Sequence, residues 1–267
     1  MTVCIAAICQ DENGPKIIIC TDQKSSSALG SADNAHKAIA IGQNWWALTA
    51  GTESDIRALI KLYMLQFVDP ANVAASTIDA SVKTPLHQRK AQLAEEYIQR
   101  RFAMSYPEFM KEGKARLPAD IFYDATQRIS QIRLNAEFIL AGFINGQAEI
   151  YYTDSEGAAR AAPYFAVVGE GEYIAQSTLL RREQYNLMPL RNSLYNVFEA
   201  KRHAEAVGSV GKKTFLAVIG NGLDLALTSI EIDTQLDAWY NEFGPKKLPP
   251  ELEFKGPLYF KRKTQQA

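Results

Sequence analysis

A chain of 267 residues, 47% hydrophobic and 22% charged, is long enough to bury a large core, and its formal net charge of -1 gives it no global pull toward nucleic acid or an anionic membrane. Three cysteines, Cys4, Cys9 and Cys20, sit in apolar runs without ligand spacing, which argues against a disulfide framework or a zinc site and for buried thiols. No apolar run reaches the roughly 18 residues of a membrane span, and Met1 to Gln10 carries no basic leader, so a cytoplasmic protein with neither membrane nor nucleic-acid partner is expected.

The chain opens with two β-rich runs, residues 3–9 and 16–22, joined through Asn13-Gly14, a pair that tolerates the positive φ of a tight hairpin. A second hairpin is expected over residues 38–41 and 45–50. Ile56, Leu59, Ile60, Tyr63 and Phe67 then form a stripe at helical spacing. Thr84-Pro85 reads as a cap with a first-turn proline, opening a helix to about Phe102, and another helix is expected over residues 120–133. Asn145-Gly146 joins strands 137–144 and 148–153, and helices follow at 173–185 and 189–207. Asn221-Gly222 joins strands 214–219 and 223–229, and a last helix over 233–243 stops at Gly244-Pro245.

Antiparallel hairpins alternating with helix blocks define an α+β protein, a four-layer αββα sandwich of two antiparallel sheets flanked by helices. No linker interrupts residues 1–243, which read as one domain with an enlarged helical segment at about 71–133. Residues 244–267 read as a Pro- and Lys-containing tail, its cluster of Lys255, Lys261, Arg262 and Lys263 solvated.

Chemistry concentrates at the start. Removal of Met1 before a small residue exposes Thr2, which then carries a hydroxyl nucleophile and, in its α-amine, a base with an ordinary pKa near 8. Asp22 closes the second strand, Lys37 precedes the third, and Gly51 lies just before a helix. Lys37 would place a cation beside Thr2, and Asp22 would orient that cation and offset its burial. Gly51, at a helix N-terminus, has an amide suited to an oxyanion. Each also has a bland reading: a strand-end Asp, an exposed Lys, a tight-turn Gly.

Taken together, the terminal threonine, the strand ending in Thr21-Asp22, Lys37 before Ala38-Ile39-Ala40-Ile41, and Leu48-Thr49-Ala50-Gly51 before a helix resemble the proteasome β-subunit family and its bacterial two-component relatives. The interval of 14 residues from Lys37 to Gly51 is that of the family, and the 15 from Asp22 to Lys37 is close to it. Phe138 to Gly142, the Gly169-Glu170-Gly171 turn and the last hairpin and helix also have counterparts. The resemblance implies an N-terminal-nucleophile (Ntn) hydrolase fold and a threonine-type peptidase or amidohydrolase with Thr2, Asp22 and Lys37 catalytic and Gly51 at the oxyanion. It implies a substrate pocket at Ser25, Ala35, Thr49 and Glu53, a peptide or protein substrate, no cofactor or metal, a homo-oligomeric ring and an ATP-driven unfoldase as a possible partner.

The chain departs from the family in two places. Glu170 stands where the family has a serine, and residues 204–211 offer Glu205, Ser209 and Gly211 but no aspartate at the matching spot. The resemblance implies Ser209 as the supporting serine, with Glu205 one position off the missing aspartate, and Glu170 is expected to alter proton balance at Thr2 or to pair with Lys37. The departures keep two alternatives open: an inactive ring or scaffold subunit of the same fold, and a small-amide hydrolase whose helical insert closes the site.

Overall fold

Every residue from Cys4 to Cys9 is buried, an unbroken run that a strand shows only when both its faces are covered. That double coverage organises the molecule. The computed structural model describes residues 2–27, 30–33, 35–222, 225–244, 256 and 259–260. In chain order come β1 (Cys4–Asp11), β2 (Gly14–Asp22), β3 (Lys24–Ser27), β4 (Gly30–Asp33), β5 (Ala38–Gly42), β6 (Trp45–Gly51) and α1 (Glu53–Phe67). A 3-10 turn (Pro70–Val73) leads to α2 (Ile78–Phe102), α3 (Tyr106–Arg116) and α4 (Ala119–Ser130). Then follow β7 (Ala136–Ile144), β8 (Gln147–Thr153), β9 (Ala159–Ala161), β10 (Phe165–Val168), α5 (Glu172–Arg181), α6 (Leu190–Ala204), β11 (Thr214–Gly220), β12 (Ala226–Leu227), α7 (Ile230–Phe243) and β13 (Tyr259–Phe260).

The protein is α+β. One antiparallel sheet runs in the order β10-β1-β2-β11-β12-β13, the other β5-β6-β7-β8-β9, and β3 and β4 form a separate ribbon. The pleat sends alternate residues of β1 and β2 to opposite faces. Cys4, Ala6, Ile8, Ile17 and Ile19 meet Leu48, Ile139, Ala141 and Ile150 of the second sheet in one core. Val3, Ile5, Ala7, Ile18 and Cys20 turn the other way, onto Leu179, Leu194, Phe198, Leu236 and Trp239 of α5, α6 and α7. The outer face of the second sheet, with Trp45, Ala47, Phe138 and Leu140, packs on Leu59, Tyr63, Val82 and Leu86 of α1 and α2. The layers are therefore helix, sheet, sheet, helix.

Several expectations are corrected. α2 begins seven residues before Pro85, at Ile78, and carries the proline inside it. Burial of Ile78, Val82 and Leu86 against α1 outweighs the lost backbone hydrogen bond. α3 lies within the helical segment expected at about 71–133 but was not delimited as a helix, although Ser105 caps it by accepting from the Glu108 amide at 3.3 Å, and α4 stops at Ser130 rather than 133. The insert has its own small core of Ile98, Met104, Phe109 and Ala125. Of the three Asn-Gly turns, only Asn145 (φ 49°) and Gly146 (φ 81°) both adopt positive φ; at the other two only Gly14 and Gly222 do. Tyr259–Phe260, within the segment read as a tail, pairs with β12. Met1 and Lys255, Lys261, Arg262 and Lys263 lie outside the described residues.

Candidate active site

The register of β1 on β2 brings the start of one strand to the end of the other. Cys4 faces Thr21, and one step further the Val3 amide donates to Asp22 Oδ1 at 3.0 Å. Asp22 Oδ2 accepts from the amides of Lys24 at 3.1 Å and Gly211 at 3.0 Å. Lys37 is fixed just before β5, where its carbonyl accepts from the Thr49 amide at 3.0 Å. Its Nζ donates to Asp22 Oδ1 at 2.8 Å and also to Thr2 Oγ1, which in turn donates to Asp22 Oδ1. Three residues from three segments thus share one hydrogen-bonded centre.

The Asp22 side chain is fully buried and that of Lys37 is 11% exposed. Burial alone would raise the Asp22 carboxyl. The hydrogen bonds from Lys37 and Thr2, the Lys37 charge and the Gly211 amide outweigh it and hold the carboxyl below its ordinary value. Cys4, a second nucleophile type beside the same centre, is excluded by its surroundings. Complete burial pushes its thiol up to about 12 despite the Lys37 charge, and its Sγ is turned to the Thr49 carbonyl.

Two glycines fit the backbone around Thr2. Gly51, at φ +121°, ends β6 beside the Thr52 cap of α1, and a Cβ there would lie 2.2 Å from the Asn135 carbonyl oxygen. Gly169, at φ +95°, would set a Cβ 2.5 Å from the Thr2 carbonyl oxygen, which also accepts from the Gly171 amide at 3.3 Å. No L residue satisfies both the conformation and the space at either position.

Thr2 and Gly51 border two cavities. One, of about 630 Å³, is lined by Ser25, Ala35, Lys37, Thr49 and Glu53. The other, of about 510 Å³, runs past Asn135, Glu137, Glu170 and Glu172. The pocket positions taken from the resemblance therefore lie in one concavity with Thr2. Ser25 is exposed and donates to the Ala32 carbonyl, Thr49 is buried, and Glu53 is paired with Arg57 at 2.5 Å.

The supporting residues are arranged otherwise than expected in one respect. Glu170 does not pair with Lys37; its Oε2 accepts from Ser209 Oγ at 2.6 Å, while Lys37 is held by Asp22. Glu205 is engaged by Lys201 at 2.6 Å, at the end of α6. Sequence reasoning missed Glu137 and Glu172. Glu137 Oε2 accepts from the Gly169 amide at 3.1 Å. Burial, then the Glu137 charge, raises the Glu172 carboxyl. The signal for Glu137 was its place opposite Ala50 in the β6–β7 register, which composition does not reveal. Among the described residues no group of three or more His, Cys, Asp or Glu is placed to hold a metal ion, and no helix is long and apolar enough to cross a membrane.

The centre defines a class of chemistry: a hydroxyl held between a cation and a carboxylate, open on both sides to concave surface. Comparison with protein-family models finds no match, and comparison with curated protein sequences finds none either.

Proposed function

We propose that this protein is a proteasome-like Ntn hydrolase that cleaves peptide or related amide bonds, with Thr2 as nucleophile once Met1 is removed. The observation that carries the reading is the placement of Thr2 Oγ1: it accepts from Lys37 Nζ, donates to Asp22, and borders both cavities beside Gly51.

In this reading the reaction has two stages, acylation of Thr2 and hydrolysis of the ester. Thr2 Oγ1 attacks the substrate carbonyl carbon, and its proton passes to the α-amine. The Lys37 cation lowers the cost of the developing alkoxide, and Asp22 keeps that cation in place. The carbonyl electrons move to oxygen, where the Gly51 amide, at the entry to α1, opposes the charge. Collapse expels the leaving amine, which takes the proton from the α-ammonium and leaves an ester on Thr2. Water then attacks the ester, with the α-amine again as base, and releases the acid. A blocked α-amine cannot serve, so a chain retaining Met1 should be inactive.

The pocket of Ser25, Ala35, Thr49 and Glu53 takes the acyl portion in this reading, and assembly of copies into a homo-oligomeric ring belongs to the same proposal. A catalytically silent scaffold is the second reading, favoured by the occupation of Glu170 by Ser209. The test is intact mass after incubation with a threonine-directed β-lactone. One adduct, mapped to Thr2 and absent from Thr2→Ala, is expected; a properly processed, folded chain that acquires none is a scaffold.

A further inference from the structure

The two cavities that meet at Thr2 differ in charge. The one assigned to the acyl portion is bordered by Lys24, Lys37 and Arg57, with Glu53 its one carboxylate among the described residues. Across Thr2, the other is bordered by Glu137, Glu170 and Glu172, and no Lys, Arg or His lines it among the described residues.

Of the carboxylates of this second cavity, Glu137 and Glu172 are partly buried and Glu170 is exposed at its edge. Glu137 is tied by one oxygen to the Gly169 amide of the turn that packs on Thr2. Glu170 is tied by one oxygen to Ser209. The Glu172 side chain has no hydrogen-bond or ion-pair partner among the described residues, and it opens α5 facing the same space. Burial and the neighbouring Glu137 both disfavour its charged form, and among the described residues no Lys, Arg or His lines the cavity to offset these carboxylates. The three are not placed to ligate one metal ion. An ammonium or guanidinium group on an organic chain suits carboxylates spread around a cavity of about 510 Å³.

We propose that this cavity selects a cationic leaving portion: the part of the substrate following the bond attacked by Thr2 carries an ammonium or guanidinium group, and Glu172 is its specificity-determining residue. The inference rests on reading Thr2 as the nucleophile and the Ser25–Thr49 pocket as the acyl side. A carboxylate beside a partly desolvated cation is favourable where water is partly excluded, and the opposite lining of the two cavities fixes the direction in which the substrate lies.

Two measurements test it. In matched quenched peptides differing only after the cut, lysine should give a kcat/KM roughly tenfold above norleucine, and Glu172→Gln should bring that ratio close to one. Independently of turnover, calorimetry should show lysinamide binding the processed protein more tightly than norleucinamide, with the difference lost in Glu172→Gln. Both amides carry an α-ammonium, so the comparison isolates the side-chain charge. Equal binding of the two amides, a ratio unmoved by Glu172→Gln, or a lysine preference confined to the position before the cut overturns the proposal. Absence of turnover and of a Thr2 adduct, with selective lysinamide binding retained, would sink the hydrolase reading and leave the cation site standing.

Discussion

Two carboxylates among the described residues, Asp22 and Glu199, are completely buried and bound to cations, and they differ in their surroundings. Asp22, between the sheets' ends, is held by Lys37 at 2.8 Å and by three backbone amides. Glu199, between α5 and α6, is held by Arg182 at 2.5 Å and Arg181 at 2.8 Å, with His203 3.9 Å away. Burial and pairing are the same at both. What differs is the company: the hydroxyl of the Asp22 centre borders two cavities, whereas the hydroxyl reached from Glu199 through His203, that of Thr178, donates to the Ile174 carbonyl and lines neither cavity. A buried ion pair is thus no sign of chemistry by itself. The sign is a nucleophile within it and open space beside it.

The comparison breaks most sharply at Lys37. Lys37→Ala removes the cation from Thr2 but leaves Asp22 its three amide donors, so the fold should persist while turnover falls by roughly three orders of magnitude. Steady-state kinetics beside thermal unfolding checks both halves. If unfolding shifted strongly and turnover per folded molecule did not, Lys37 would belong with Arg182 as a structural cation.

The reverse pattern is expected at Glu199. Glu199→Ala strands the buried guanidinium of Arg182, whose Nη2 already lacks a partner, and should cost about 3 kcal/mol. That corresponds to a fall in Tm of roughly 10 °C for a chain of this size. Turnover of the remaining folded protein should not change. Denaturant melts and activity measured at low temperature separate the two effects.

A subtler difference lies in pH. The Asp22 carboxyl is held below its ordinary value of 3.8, so its folded form binds fewer protons than its unfolded form as the pH approaches that value. The stability it confers is fully present above 3.8 and is lost as pH falls through the depressed folded value. The gap in unfolding free energy between wild type and Asp22→Asn should therefore stay level from neutral pH down to about 5 and narrow only below 3.8. A gap that narrows between pH 7 and pH 5 would show that the carboxyl is not held by these donors.

How much of this was legible beforehand follows from what each feature depends on. The main hairpins and most of the helices were readable, because hairpin turns and helical stripes are local, whereas the short strands β3, β4, β9, β10 and β13 carried no such signal. The nearness of Thr2 and Asp22 follows from the β1–β2 hairpin, whereas Lys37, beyond the β3–β4 ribbon, was placed beside them by the resemblance. The start of α2 was misread because Thr84-Pro85 imitates a helix cap, and only the packing of Ile78, Val82 and Leu86 on α1 shows that the helix runs through it. The break before α3 carried a readable signal, Ser105 three residues before Glu108, but its turning residue is Ala103 at φ 53°, where no glycine marks the stop. Glu137 and Glu172 were hidden for another reason: 35 residues apart in sequence, they share a cavity only through the pairing of β6 with β7 and the position of α5.

The smallest effect concerns Glu53. It lines the acyl cavity with Thr2, which would favour a basic group before the cut, yet it also stands in the first turn of α1, where an acidic side chain stabilises the helix start. Its carboxylate is three-quarters exposed and already paired with Arg57, one helical turn on. A screened, neutralised charge exerts little pull on a substrate, so Glu53→Gln should change the ratio of cleavage after arginine to cleavage after leucine by no more than about twofold. Arg57→Gln sharpens the point by freeing Glu53: the arginine preference should then rise, and the double substitution should return it to the starting ratio. A peptide-library profile of the four proteins reads this directly. A fall of tenfold or more in the arginine preference on Glu53→Gln alone would show that the carboxylate faces the substrate rather than Arg57, while four indistinguishable profiles would leave Glu53 as a charge at the start of α1 with no part in selection.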